Sequence, residues 1–334
     1  MLAPAPDFML LGPGLTLVVC GVLGALALAG RFDVATSLAF ALTLIFVGPH
    51  YAATYRRAFA SRDILRAHPV VTLVVPVGLA VCVAAALRFP RTVGVAFFAT
   101  YVLWSGYHYS GQSLGLALLY PLRQGARLAA DEKRLVAIPL YASWLLSVVG
   151  LFRLDVAARN PAYQLTREAL FRAPMPAWAL ALGTGVVVLS LGCVAQLARL
   201  RRARGVPLPW MVWAVVGAQL AWFCAGLWNP FFNVVLVPVF HGAQYLAITS
   251  WHHGRGRGGA TFALYAVTVL ALGLVINPGL LALGRTFGGD ARVAAAAVLA
   301  FVNLHHFLMD GRIWRLRERK VADSFTALRP TGAP

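Results

Sequence analysis

Acidic side chains are scarce in this sequence. Only 11 of 334 residues are Asp or Glu, against 29 Lys or Arg, and charged residues of all kinds make up 12%, about half the share of an ordinary soluble domain. So few charges cannot dress a water-facing surface of this size. Cysteine is also sparse. Cys20, Cys82, Cys193 and Cys224 each lie inside an apolar run with no CxxC spacing, which argues for packing residues and against a disulfide framework, a zinc knuckle or an iron–sulfur cluster. No CxxCH haem-attachment motif is present, and no low-complexity tract or internal repeat. The formal charge of +18 comes without a separate basic domain or an aromatic-interleaved basic groove, so nucleic acid is not the expected partner. Basic loops beside anionic lipid headgroups account for it.

What is abundant is apolar sequence: 60% hydrophobic residues at a mean hydropathy of +0.74. Runs of about 18 residues or more recur from end to end, each long enough to cross a hydrocarbon core of about 30 Å. These predict an all-α polytopic transmembrane helical bundle of ten spans, near 9–30, 34–55, 69–87, 92–120, 135–152, 177–198, 210–228, 231–252, 260–283 and 292–311. The first run lacks the basic start and cleavage site of a secretory signal and reads as a retained helix. Residues 1–320 form one membrane domain and 321–334 a short mobile tail.

Lys and Arg crowd alternate loops. Arg56, Arg57, Arg62 and Arg66, then Arg123 to Arg134, Arg199 to Arg204, Arg255 and Arg257, and the tail from Arg312 fall on one side. Arg31, Arg88, Arg91, Arg153 to Arg172, Arg285 and Arg292 fall on the other and are about half as many. The bias predicts both termini in the cytoplasm, as in a multi-pass protein of a bacterial inner (cytoplasmic) membrane. The outer segment 153–176 mixes charge with Leu and Phe and predicts a short amphipathic helix.

Histidine placement carries the functional argument. His50, His108, the group His241, His252 and His253, and the pair His305 and His306 fall on four spans that all run toward the cytoplasm; only His68, at an interface before Pro69, stands apart. Polar residues accompany them at helical spacing. Tyr101, Ser105, His108 and Gln112 share one face; Asn233, His241, Gln244, Tyr245 and His252 form a stripe; His50 pairs with Thr54; Asn303, His306 and Asp310 align, with His305 turned about 100° away. Polar groups in lipid face the bundle interior, so four such faces predict one shared polar pocket.

Neutral imidazole is the commonest metal ligand. The expected metal ligands are His50, His108, His241, His305, His306 and Asp310, with His252 and His253 at the rim. Tyr101, Tyr109, Tyr245, Gln112 and Gln244 are expected to position substrate, relay protons or orient ligands. Nitrogen and oxygen donors without thiolate favour iron (Fe2+, one or two ions), with zinc, manganese or copper as alternatives. Three other readings stay open: haem held by paired histidines, a proton or metal transporter, and histidines acting only as hydrogen-bonding glue between helices. Arg312 and Arg315 offer a counter-charge as a rival account of Asp310.

The segments 48-GPHY-51, 106-GYHYSGQ-112 and 240-FHGAQY-245 resemble bacterial Brp/Blh-type carotene dioxygenases, helical membrane enzymes in which histidines from several spans hold one non-haem iron. The resemblance implies His50, His108 and His241 as ligands, with His305 or His306 as a fourth. Thr54 and Gln112 stand where that family places acidic residues, and only 305-HHFLMDG-311 keeps an Asp near its His. More remotely the chain resembles membrane fatty-acid desaturases and hydroxylases, without their HxxxH or HxxHH boxes. The expected function is a metal-dependent oxidoreductase that uses dioxygen on a lipid or isoprenoid. Its partners would be membrane lipid, a hydrophobic substrate and a redox protein.

Overall fold

The computed structural model describes residues 4–59, 62–153, 160–254, 259–286, 290–314, and 321, 323 and 325. Arg159, Arg255 and Arg257 of the charge count, with Arg315 and most of the tail, lie outside the described residues. Thirteen α-helices are described: α1 (Pro4–Leu10), α2 (Gly14–Leu28), α3 (Phe32–Phe59), α4 (Arg62–Ala67), α5 (Val75–Arg88), α6 (Val95–Arg123), α7 (Ala130–Gly150), α8 (Pro161–Leu170), α9 (Ala177–Ala203), α10 (Trp210–Trp228), α11 (Val237–Gly254), α12 (Gly259–Thr286) and α13 (Ala291–Ile313). No strand occurs among the described residues. The protein is an all-α, multi-pass membrane bundle.

Eight described helices are long and apolar enough to span a bilayer. The other two expected spans correspond to α2 and α6. The first run is divided at Gly12-Pro13-Gly14, which leaves α1 and a 15-residue apolar α2. Helix α6 has 29 residues, ample length, but its polar face lowers its apolarity. Proline shapes several entries. Pro76 and Pro238 lack an N–H and crowd the carbonyl four residues back; the turns before them, Val70–Val74 and Phe232–Leu236, are widened into π-helix. The amphipathic helix expected in 153–176 is α8. Asn160 caps it, with Oδ1 accepting from the N–H groups of Ala162 and Tyr163 at 3.1 and 3.4 Å.

Helices α11 and α13 form the centre: 78% of the most apolar stretch of each is buried, against 17% for α12 and for the span that contains α5, which therefore face lipid. Helix α3 packs on α11, α12 and α13, and α6 packs on α7, α10 and α13. Lipid offers apolar groups no water to escape, so association rests on close packing and interhelical hydrogen bonds. Backbones approach closely where glycine permits it. A Cβ at Gly242 of α11 would stand 2.6 Å from the Phe46 carbonyl of α3, and one at Gly273 of α12 would strike Pro49. Gln219 Nε2 lies 3.0 Å from Ser110 Oγ and 2.9 Å from Ser143 Oγ, tying α10 to α6 and α7. At one end of α7, Glu132 pairs with Arg201 and Arg204 of the α9 terminus at 2.9 and 2.6 Å.

Candidate metal centre

Four helices bring four imidazoles to one point. Pro49 precedes His50 within α3, and the His50 ring folds back so that Nδ1 lies 2.7 Å from the Val47 carbonyl. A carbonyl only accepts, so Nδ1 carries the proton and Nε2 presents its lone pair. That lone pair faces His306 Nε2 of α13 at 3.0 Å, about the separation of two cis nitrogen ligands held by one ion through bonds of about 2.1 Å. The His50 ring stands 5.2 Å from His241 on α11, and His108 on α6 stands 4.9 Å from His241 and 5.0 Å from His306, centroid to centroid. All four rings sit inside the protein, and their faces are covered by Tyr51, Tyr109 and Phe307, at 4.2 Å from His50, 4.5 Å from His241 and 4.3 Å from His108.

Asp310 completes the cluster. Its Oδ2 lies 3.4 Å from His306 Nε2, and its Oδ1 accepts from Tyr245 Oη at 2.9 Å and Thr54 Oγ1 at 3.1 Å. Trp314 Nε1 donates to Tyr245 Oη at 3.0 Å. Two donor sets result, His50–His241–His306 and His108–His306–Asp310, each with its ligand atoms within 4.8 Å of one another and each sharing His306.

Three ring nitrogens here are buried with no hydrogen-bond partner: His108 Nε2, His241 Nε2 and His306 Nδ1. Each such orphan costs about 1–3 kcal/mol, and native structures rarely leave three together. A cation bound at the cluster offers a partner to lone pairs on His108 Nε2 and His241 Nε2, while His306 would ligate through Nε2 and keep its proton on Nδ1; imidazole with carboxylate is a donor set that suits first-row divalent metals. The residues therefore fit a metal ion.

The expected ligands divide on this geometry. His50, His108, His241, His306 and Asp310 meet. His305 does not: its Nε2 lies 3.0 Å from the Val71 carbonyl and its Nδ1 3.3 Å from Tyr55 Oη, tying α13 to α3 and to the π-turn before α5. His252 accepts from Arg57 Nη1 at 3.2 Å, and His253 stacks on Tyr265 at 4.1 Å. Both lie at the rim, because they stand three turns beyond His241. Asn233 wedges against Gly226 of α10 instead of reaching the cluster. Tyr101 turns toward α8, with Asn160 Nδ2 at 3.4 Å, whereas Tyr109 and Tyr245 touch the site. Arg312 is not the partner of Asp310, whose described contacts are Thr54, Tyr245 and His306.

The two glutamines are set by carbonyls. Gln244 Nε2 donates to the Leu11 carbonyl at 2.9 Å, and Gln112 Nε2 donates to the His241 carbonyl at 3.0 Å and to Gln244 Oε1 at 3.2 Å. Flipping Gln112 would turn its oxygen onto two acceptors, and flipping Gln244 would set oxygen against the Leu11 carbonyl and N–H against N–H, so Gln112 Oε1 is left buried and unpartnered. The Leu11 contact explains what the α1–α2 break contributes to the site.

Beside the cluster lies a cavity of about 520 Å³, walled by Trp104, Tyr107, Leu116, Leu119, Tyr141, Ile248, Phe307, Leu308 and Phe325, with His108, Gln112, Gln244, Tyr245 and Asp310 on its polar side. Phe325 belongs to the segment expected to be mobile, yet it is 3% exposed and stacks on Trp251 at 5.9 Å. Sequence reasoning passed over Tyr51, Phe307, Trp314 and Phe325, because an aromatic in a membrane helix carries no mark that separates a site wall from a lipid-facing residue. Comparison with protein-family models, with curated proteins and with solved structures finds no match to this chain.

Proposed function

We propose that this chain is a membrane-embedded non-haem iron oxidoreductase that acts with dioxygen on a lipid or isoprenoid substrate, in a bacterial inner membrane with both termini in the cytoplasm. The observation that carries the reading is the meeting of His50, His108, His241, His306 and Asp310, with the Nε2 atoms of His108 and His241 orphaned, at the wall of an apolar cavity. The motif resemblance to Brp/Blh-type dioxygenases points the same way. Rings packed about 5 Å apart fill the space a porphyrin would need, which favours a bare ion over haem.

Iron, when bound, supplies the one-electron chemistry that activates dioxygen. The chain's own residues hold, orient and shield. The Val47 carbonyl sets the His50 tautomer, and Tyr245 and Thr54 hold Asp310 beside His306. The Trp314–Tyr245–Asp310 chain of hydrogen bonds keeps a proton at Tyr245 Oη, pointed at the carboxylate. Tyr51, Tyr109 and Phe307 cover ring faces of His50, His241 and His108. The aromatic and aliphatic walls admit the hydrocarbon of a substrate drawn from the bilayer, and Gln112 Oε1 is left to accept from a polar group on it. A redox protein is required only if the reaction consumes external electrons.

The test is elemental analysis of the purified protein in nanodiscs. One or two iron atoms per chain are expected, with zinc, manganese or copper as the outcomes that would change the metal. Absence of any transition metal together with metal-independent activity would sink the reading.

A further inference from the structure

The cavity has a cationic end that the metal centre does not use. Arg312, at the C-terminal end of α13, is exposed and lines the cavity. Among the described residues no carboxylate stands within ion-pair distance of it, and Asp310 is occupied by Tyr245, Thr54 and His306. Trp314 lines the same cavity. Its ring carries the Arg57 guanidinium at 3.7 Å, and Arg57 donates from Nη1 to His252 while its buried Nε has no partner. Arg312 thus borders the cavity, and Arg57 lies against the Trp314 ring without lining the cavity itself; neither is in an ion pair among the described residues.

An arginine at the end of a membrane helix ordinarily snorkels to the headgroup layer. Two features go beyond that habit here: Arg312 borders an internal cavity, and Arg57 is withdrawn from the surface onto an indole that forms part of the cavity wall. Guanidinium groups recognise carboxylate and phosphate through charge-assisted, paired hydrogen bonds. Toward the imidazoles the walls are Phe307 and Leu308, which precede Arg312 on α13, and Trp104 and Tyr107, which precede His108 on α6.

We propose that the cavity takes an acidic amphiphile, with a carboxylate or phosphate headgroup seated at Arg312, Arg57 behind it, and the hydrocarbon running inward past His108. This rests on reading the cavity as substrate space and does not depend on the metal's identity. Arg312 follows His306 by six residues, about 9 Å of helical rise. The acid end therefore stays away from the imidazoles, and chemistry falls within the hydrocarbon chain.

Thermal-shift titration of the full chain in zwitterionic nanodiscs tests this with three 16-carbon probes: the carboxylate, the monophosphate and the alcohol. The acid and the phosphate are expected to bind about tenfold or more tighter than the alcohol. Arg312→Gln should remove most of that preference, Arg312→Lys should restore part of it, and Arg292→Gln, at the far end of α13, should leave it intact. Equal binding of acid and alcohol, or a preference that survives Arg312→Gln, overturns the proposal. Repeating the titration in nanodiscs rich in phosphatidylglycerol separates the sources: a preference that persists supports a substrate headgroup, and one competed away assigns the arginines to bilayer phospholipid and overturns the substrate assignment. Chelator-treated protein should keep the preference, so loss of the iron reading and loss of this one are told apart.

Discussion

His306 is the residue on which both donor sets close. Its Nε2 faces His50 at 3.0 Å and Asp310 at 3.4 Å, and its Nδ1 is one of the three orphaned nitrogens. His306→Ala is expected to abolish metal retention by elemental analysis, whereas His253→Ala, stacked on Tyr265 at the rim, should bind metal like the parent. Tyr245→Phe removes the hydroxyl that joins Trp314 to Asp310 and leaves the ring in place. Loss of such an outer partner typically costs about 10–100-fold in metal affinity or activity, and that range is expected here, measured as iron occupancy against chelator and as oxygen uptake with substrate. A full-strength Tyr245→Phe variant would show that Asp310 holds its position without that hydrogen bond. The histidine phases were readable in advance because α-helical spacing alone separates His305 from His306 by about 100°. The partners of Asp310 were not, since Thr54 and Tyr245 come from α3 and α11, and sequence distance says nothing about which helices pack together.

At the scale of elements, the site depends on how closely α3 and α11 approach. Gly242 sits next to His241 and faces the Phe46 carbonyl, four residues before His50. Gly242→Val should force the two helices apart, at a cost of about 1–3 kcal/mol, and should separate His50 from His241. Reduced thermal stability together with lost metal is the expected pair of results; stability loss with full iron occupancy would show that the helices yield elsewhere. The start of α13 offers an independent check. Asp290 caps that helix, its Oδ1 accepting from the Arg292 N–H at 2.8 Å, and that bond holds its carboxyl below the usual carboxylate range. Because the folded value is lowered, the stabilisation is present above the unfolded value, about pH 4, and is lost as pH falls through the folded one. Asp290→Ala should cost about 1 kcal/mol at neutral pH and progressively less in acid, as read from unfolding curves.

For the whole molecule, a metal that binds only the folded chain adds stability by mass action. At a free concentration of about 100 times Kd this amounts to about 2.7 kcal/mol, so removal by chelator should lower the unfolding temperature and readdition should restore it. His306→Ala protein should show no such response. The bundle is arranged for this coupling: the two most enclosed helices, α11 and α13, carry three of the five clustered donors, while α12 and the α5 span face lipid.

Composition and apolar run length by themselves determined the all-α membrane class, since nothing else satisfies backbone polar groups in hydrocarbon. They also placed nearly every helix, and helical periodicity selected His50, His108, His241, His306 and Asp310 as inward-facing. Three matters were left to tertiary structure. The break at Gly12-Pro13-Gly14 puts the Leu11 carbonyl under Gln244, the tail returns Phe325 to the cavity wall, and the rim histidines find partners of their own. Periodicity is a property of one helix. A coordination site, a cavity and a cationic mouth are properties of how several helices pack, and that is decided by glycine contacts and interhelical hydrogen bonds between residues far apart in the chain.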